Sequence, residues 1–349
     1  PVYNPVKASQ LNNQGFFSLF NSEIINRQYV YASNPPLTYG NTSAGLVEIQ
    51  TIKDLEENQL QLSVGLASSG FFLSKKIKDN KSFIQVYGNY QLSDAYLSIQ
   101  KENLPNIKNF YSKDIGINFN QKIYKKAIFN SYNYFIDEQF NGYEKQFTYK
   151  GDISSEKKRF LTINNLIFYL EKGVLSINNG INTSSQYFNF GNIHSKQEIN
   201  QNYTSIDYKL FLLENTKIQF GISYSFYQSK FNDSIPVYYH ALSPNSPNLF
   251  SRSTNNNNIF ESYLYTNLEI NKRLSLSSGI RTNFPFKNEK YYLSSQLGLK
   301  YVIDKQQSFL LSGGKYHNYS TPHFYSKKYN LLSSNQIALD YSHKLESRL

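Results

Sequence analysis

The residues best suited to proton transfer or metal ligation are five histidines, His194, His240, His317, His323 and His343. None stands at a zinc-binding spacing, and the chain has no cysteine to supply a thiolate. There is no glycine-rich phosphate loop and no nucleophile elbow. An enzyme would need a histidine paired with a carboxylate or a serine, and no such set stands out. The chemistry left is contact. Imidazole, phenol and guanidinium groups can touch a metal chelate or a haem, or can simply be solvated loop residues. The densest grouping is Tyr238, Tyr239 and His240, with Arg252 further along. Aromatic and Arg side chains are favoured contact groups, so these four form the expected ligand-contact set. We expect no catalytic residue, resident cofactor or bound metal.

The elements that must carry these residues are alternating ribbons. In 218–228, Ile218, Phe220, Ile222, Tyr224 and Phe226 fall on one parity, and Gln219, Gly221, Ser223 and Ser225 on the other. A strand points successive side chains to opposite faces, so one side is apolar and the other polar. The pattern recurs from residue 60 to residue 343, giving about fourteen strands, of which 160–170 alternates least clearly. Short polar turns alternate with long connections at 92–110, 137–158, 186–202, 229–258 and 317–332.

The chain has 349 residues and a net charge of +11, with 31 Tyr and 26 Phe but no Trp or Met. The excess positive charge fits a lysine-rich surface. No arginine-rich block or recognition helix points to nucleic acid. No apolar run approaches the roughly 18 residues of a spanning helix, which excludes a helical membrane protein. A β-barrel is not excluded. Its apolar residues occupy alternate positions, so a mean hydropathy of −0.53 hides them. Hydrocarbon demands that every backbone N–H and C=O be paired within the protein, which closed sheets achieve. The alternative is a soluble β-sandwich or solenoid, whose strands are commonly shorter. The ribbon lengths favour the barrel.

Residues 1–51 differ from the rest. Pro1, Pro5, Pro35 and Pro36 punctuate them, 24–31 makes a plausible strand, and 46–49 a short one. Between these strands stand Tyr39 and Gly40, then Ala44 and Gly45, then Ile49, Gln50 and Thr51. This ordered set resembles the closing part of the plug domain of TonB-dependent outer-membrane receptors. Tyr39, Gly40, Gly45 and Thr51 carry the match. Ala44 departs from it, because the family often has a second glycine there. The early Y-N-P and F-F-S-L-F-N runs resemble the variant found in Bacteroidota-type receptors. Residues 330–345 resemble a late-barrel pattern, with Ser333 and Asn335 near where the family usually has Pro and Glu.

The resemblance implies an all-β fold: a transmembrane antiparallel β-barrel behind the C-terminal part of a plug. Residues 1–54 are assigned to the plug and 55–349 to the barrel. Such transporters have about 22 strands, so about fourteen imply an internal piece of a longer receptor. Outer-membrane barrels place short turns on the periplasmic side and long loops outside. On that rule 137–158 reads as one outward loop rather than a strand at 145–153. The implied activity is uptake of a ferric siderophore, haem, cobalamin or oligosaccharide across the outer membrane of a Gram-negative cell. The implied partners are outer-membrane lipid, the TonB complex through a missing N-terminal segment, the ligand and a surface lipoprotein. Two rivals remain, a passive porin or secretion barrel and a soluble adhesin or carbohydrate-binding β protein.

Overall fold

The computed structural model describes residues 6–7, 17–18, 20–31, 33–42, 45–66, 68–77, 82–124, 126–286, 290–304, 306–323 and 326–343. The N-terminal segment holds β1 (Val6–Lys7), β2 (Phe17–Ser18), a short 3-10 turn (Ser22–Ile24), β3 (Ile25–Tyr31) and β4 (Leu46–Thr51). Then follow β5 (Gln59–Val64), β6 (Ser68–Ile77), β7 (Ser82–Leu92), α1 (Asp94–Gln100), β8 (Ile107–Tyr124), β9 (Ala127–Gln146) and β10 (Tyr149–Leu170). Next come β11 (Gly173–Phe190), β12 (Ile193–Leu213), β13 (Thr216–Pro236) and β14 (Asn248–Glu269). The last four are β15 (Leu274–Asn283), β16 (Leu293–Val302), β17 (Gln307–Tyr319) and β18 (Leu331–His343). No helix among the described residues is long and apolar enough to cross a membrane.

Strands β5 to β18 form one sheet of fourteen, each hydrogen-bonded to its neighbour in chain order. Every pair is antiparallel, as hairpin connections require. Pairs β1–β2 and β3–β4 are separate two-stranded sheets. The period-2 pattern sorts the faces as expected. In β13, Phe220 is 44% exposed on the outer face while Ser223 is 2% exposed on the inner one. Leu264, Ile280, Leu297 and Leu311 continue the apolar outer face across β14 to β17.

The inner face carries the N-terminal segment. Ile24 is fully buried against Phe72, Tyr87, Tyr132, Tyr134, Ile136 and Leu161, and Phe20 packs on the same cluster. Burying such an isoleucine contributes roughly 1.5–3 kcal/mol. Tyr87 and Tyr132 share a hydroxyl hydrogen bond of 2.6 Å. This contact explains the weak alternation of β10. There the inner face is apolar at Leu161 and Ile163, because it meets the segment rather than water.

Three of the expected long connections are largely strand: within 229–258, β13 runs on to Pro236 and β14 begins at Asn248, leaving only 237–247 between them. Residues 137–158 are not a loop. β9 continues to Gln146, β10 begins at Tyr149, and the two pair residue by residue from there. The extension lengthens two strands and adds none, so the count of fourteen stands. Residues 186–202 likewise form a hairpin that turns between Phe190 and Ile193, and 92–110 contains α1. These hairpin ends are mostly polar on both faces, with only scattered apolar residues such as Ile153, Phe188 and Phe190 turned inward, so alternation no longer distinguishes a strand from a loop there. Ala44, the Y-N-P run, Phe16 and Leu19 lie outside the described residues.

Candidate functional site

The residues that matter most join the N-terminal segment to the wall. Asn34 begins the contact. Its backbone lies at φ 47, a left-handed conformation that asparagine tolerates. Its Nδ2 donates to the Ser312 carbonyl (3.2 Å) and to Ser312 Oγ (3.1 Å) in β17. Its N–H donates to Gln336 Oε1 in β18 at 3.1 Å. Gln296 of β16 clasps the same stretch from both sides. It donates to the Asn34 carbonyl at 2.9 Å and accepts from the Leu37 N–H at 3.3 Å.

The strongest contact is a buried ion pair. Glu261 on β14 and Arg281 on β15 have side chains only 4% and 2% exposed. Arg281 Nε donates to Glu261 Oε1 at 2.8 Å, and Nη2 donates to Oε2 at 2.7 Å. This is the bidentate fork that makes guanidinium–carboxylate pairs strong. Nη2 also donates to Ser223 Oγ at 2.8 Å. Nη1 donates to the carbonyls of Leu37 (3.1 Å) and Thr38 (3.3 Å) in the segment. A guanidinium has five N–H groups, and each of these has an acceptor. Glu261 accepts in addition from the Tyr292 hydroxyl at 2.6 Å. Burial of both charges is tolerated because the pair is saturated. The network extends sideways: Tyr263 lies beneath the guanidinium and donates to Asp207 Oδ1 at 2.5 Å.

Gly40 is where the segment and the pair come closest. A Cβ there would lie 2.4 Å from Arg281 Nη2 and 2.6 Å from Glu261 Oε2. Only a residue without a side chain allows that approach. Tyr39 N–H closes a turn onto the Pro36 carbonyl at 3.0 Å. Burial, together with the nearby Glu48, holds the Tyr39 phenol neutral well above its ordinary range. Gly45 is exposed just before β4, and Thr51 ends β4 opposite Ile25. The structure thus brings Tyr39 and Gly40 to the wall contact and leaves Gly45 and Thr51 in the β3–β4 hairpin. Between segment and wall lies a cavity of about 820 Å³, lined by Tyr31, Tyr39, Asn178, Tyr203, Asp207 and Tyr263 among others.

Sequence reasoning did not single out Glu261 or Arg281. A usable signal was there. Each is a charge on the polar parity of its ribbon, with no other charged residue within five positions along the chain.

Tyr238, Tyr239 and His240 sit together in the connection between β13 and β14 and are all exposed. The Tyr239 ring meets the edge of Phe147, at the tip of the β9–β10 hairpin, with centroids 5.3 Å apart. His240 packs on both tyrosines. Arg252 stands apart from them in β14, opposite Asn232, exposed and on the outward parity. His194 donates from Nδ1–H to Asn189 Oδ1 at 2.8 Å, and His317 stacks on Tyr292 at 5.0 Å. No group of three or more potential ligands among the described residues could hold a metal.

No family model and no curated protein matches the sequence. Solved structures do. The ferric yersiniabactin uptake receptor FyuA of Yersinia pestis aligns with a TM-score of 0.73 at 11% identity, over 90% of this chain and 56% of its own. BauA, the ferric preacinetobactin receptor of Acinetobacter baumannii, gives 0.67 at 12%, over 95% and 59%. The siderophore receptor PirA of Pseudomonas aeruginosa gives 0.64 at 12%, over 93% and 60%. The chain therefore spans less than two thirds of the length of these receptors. At such identities the likeness establishes architecture: the chain has the fold of these receptors, an antiparallel sheet of strands joined in chain order with an N-terminal segment on its inner face.

Proposed function

We propose that this chain is part of a TonB-dependent receptor of the outer membrane that takes up a ferric-siderophore-type ligand. The observation that carries the reading is the segment from Phe20 to Thr51. It rests on the wall at β6, β7, β9 and β10 through Ile24 and is clamped at β15 to β18 through Asn34, Leu37 and Thr38. A barrel meant for free diffusion has no use for a strap with buried, hydrogen-bonded polar anchors across its bore. A plug released by an energy-coupling partner does. The structures of similar fold are receptors for ferric yersiniabactin, for ferric preacinetobactin and for a siderophore, which favours an iron chelate over haem, cobalamin or an oligosaccharide.

On this reading residues 1–54 belong to the plug and 55–349 to the barrel, and the protein is of the Bacteroidota type. TonB engages a segment ahead of Pro1, and a surface lipoprotein assists capture. Tyr238, Tyr239 and His240 form the outward contact for cargo, with Arg252 as a charge on the rim. The test is disruption of the gene in its native cell, with uptake of radiolabelled ferric siderophores measured with and without a proton-motive force. Loss of energy-dependent uptake supports the reading. Passive solute entry through the purified protein in liposomes would replace it with a porin.

A further inference from the structure

The outer face of the sheet contains a polar island where an apolar surface is expected. Ser131, Asn164, Asn179 and Thr204 stand directly opposite one another on β9, β10, β11 and β12. All four point outward, on the parity opposite to the inner residues Tyr132, Leu161 and Ser205. The same row continues to Phe119 on one side and Tyr224 on the other. Along the strands the island ends at Phe129, Leu166, Ile177 and Ile206 towards the short turns. It ends at Phe135, Phe160 and Ile181 towards the tall hairpins. The island is thus bounded by apolar residues towards the short turns and, on β9 to β11, towards the tall hairpins, while along β12 it stays polar through Asn202 and Asn200.

Position along the strand sets the depth. A tilted barrel strand needs about 9–11 residues to cross the bilayer. Counted from the short turns, Ser131, Asn164 and Asn179 fall near the middle of that length. Some of their bonding capacity is used laterally. Ser131 Oγ donates to Asn164 Oδ1 at 2.8 Å, and Asn133 Nδ2 donates to Ser131 Oγ at 3.0 Å. Asn179 Nδ2 donates to Thr204 Oγ1 at 3.1 Å and to Asn202 Oδ1 at 3.3 Å. A primary amide has two N–H donors and an oxygen with two lone pairs. These lateral bonds use only part of that capacity, and hydrocarbon supplies no partner for the remainder.

We propose that this island is the contact surface for a second copy of this chain in the plane of the membrane. Two features select that occupant. An amide both donates and accepts, so a row of amides and hydroxyls complements itself, as a two-fold interface requires. A copy inserted in the same direction also presents its island at the same depth, whatever its rotation about the membrane normal. Lipid can offer nothing polar at that depth, and an unrelated barrel would have to carry a matching row by coincidence. The proposal rests on the outer face meeting lipid and is independent of the cargo.

The 349 residues contain no cysteine, so single thiols can be placed in this part of the protein without interference. Asn133→Cys, Asn164→Cys and Asn179→Cys are introduced one at a time into the full-length protein in native outer membranes. Ile222→Cys on β13 is the control. Folding is verified by resistance to unfolding in cold detergent. Treatment with a flexible bis-maleimide is expected to double the apparent mass for at least one island position and not for the control. Replacing Asn133, Asn164 and Asn179 together by Val, Leu and Ile is expected to abolish the doubled species with a reporter thiol at Ser131. Three results overturn the proposal: a cross-link to a different protein, no cross-link at any island position, or a cross-link that persists in the apolar variant. If Ile222→Cys reacts with a membrane-impermeant, water-soluble maleimide, the fault lies instead in the placement of this face in lipid.

Discussion

Arg281 spends two of its five donors on main-chain carbonyls of the segment and the rest on the wall. Its removal therefore strands Glu261 as a buried, uncompensated charge while freeing Leu37 and Thr38. Breaking a buried pair from one side costs about 3–5 kcal/mol. We expect Arg281→Leu to raise hydrogen exchange at residues 34–41 by that margin, with the wall strands still protected. Arg281→Leu combined with Glu261→Leu should leave the wall more stable than the single variant, because no lone charge remains. Gly40→Ala tests the same contact from the other side. Its Cβ would sit 2.4 Å from Arg281 Nη2, and overpacking of this kind costs about 1–3 kcal/mol. The expected readout is again faster exchange confined to residues 34–41. The Tyr39 and Gly40 pair was legible in the sequence as a motif, but its reason was not. The reason is a guanidinium about 240 residues away along the chain, and spacing along the chain carries no trace of such a partner.

Among the elements, what could be read depended on what each face touches. Where one face is apolar and the other wet, as over 217–228 of β13, period-2 alternation identified the strand, though not its continuation to Pro236. Where apolar residues are sparse on both faces, as in the outer halves of β9 and β10, the same backbone pairing reads as a loop. Where the inner face meets the segment, as at Leu161 and Ile163, alternation blurred for the opposite reason. The tall hairpins are therefore held by ladder bonds and by a local cluster, Ile153, Phe188, Phe190, Ile193 and Leu242, rather than by a continuous core. Gly191 sits at the turn of one hairpin with φ +58, and a Cβ there would lie 1.9 Å from the Leu242 carbonyl oxygen. Asn192 fastens the same turn, donating from its backbone N–H to the Leu242 carbonyl at 3.1 Å and from Nδ2 to the Ala241 carbonyl at 3.0 Å. Gly191→Ala is strained by both backbone and space, at a cost of about 1–3 kcal/mol. We expect it to release the 237–247 connection, seen as faster limited proteolysis there, while the lower halves of β11 and β12 stay resistant. Equal proteolysis throughout would show that the hairpin end and the wall unfold as one unit.

At the scale of the whole molecule, the two faces of the sheet and the strap inside it make one joint demand on the surroundings. Phe220, Ile222, Leu264, Ile280 and Leu297 are too many exposed apolar side chains for a face in water. Ser223, Ser225 and Asn257 on the opposite face are buried polar groups. Spin labels at Phe220 and Ser223 in the bilayer-embedded protein should differ, with oxygen contact dominating at Phe220 and not at Ser223. The strap adds a second consequence. With the segment present, Asn34, Leu37 and Thr38 saturate Ser312, Gln296 and Arg281. Without it, those groups have only water to turn to, and water must fill the space. Deleting residues 20–54 from the protein should therefore convert a closed barrel into an ion-conducting one, measured as single-channel current in a planar bilayer. The Arg281→Leu variant should stay closed, because the Ile24 cluster and the Asn34 clasp still hold the segment in place. If Arg281→Leu alone opened a steady current, the ion pair would be the whole of the restraint. If the deletion left the barrel sealed, the bore would be blocked by something other than the segment.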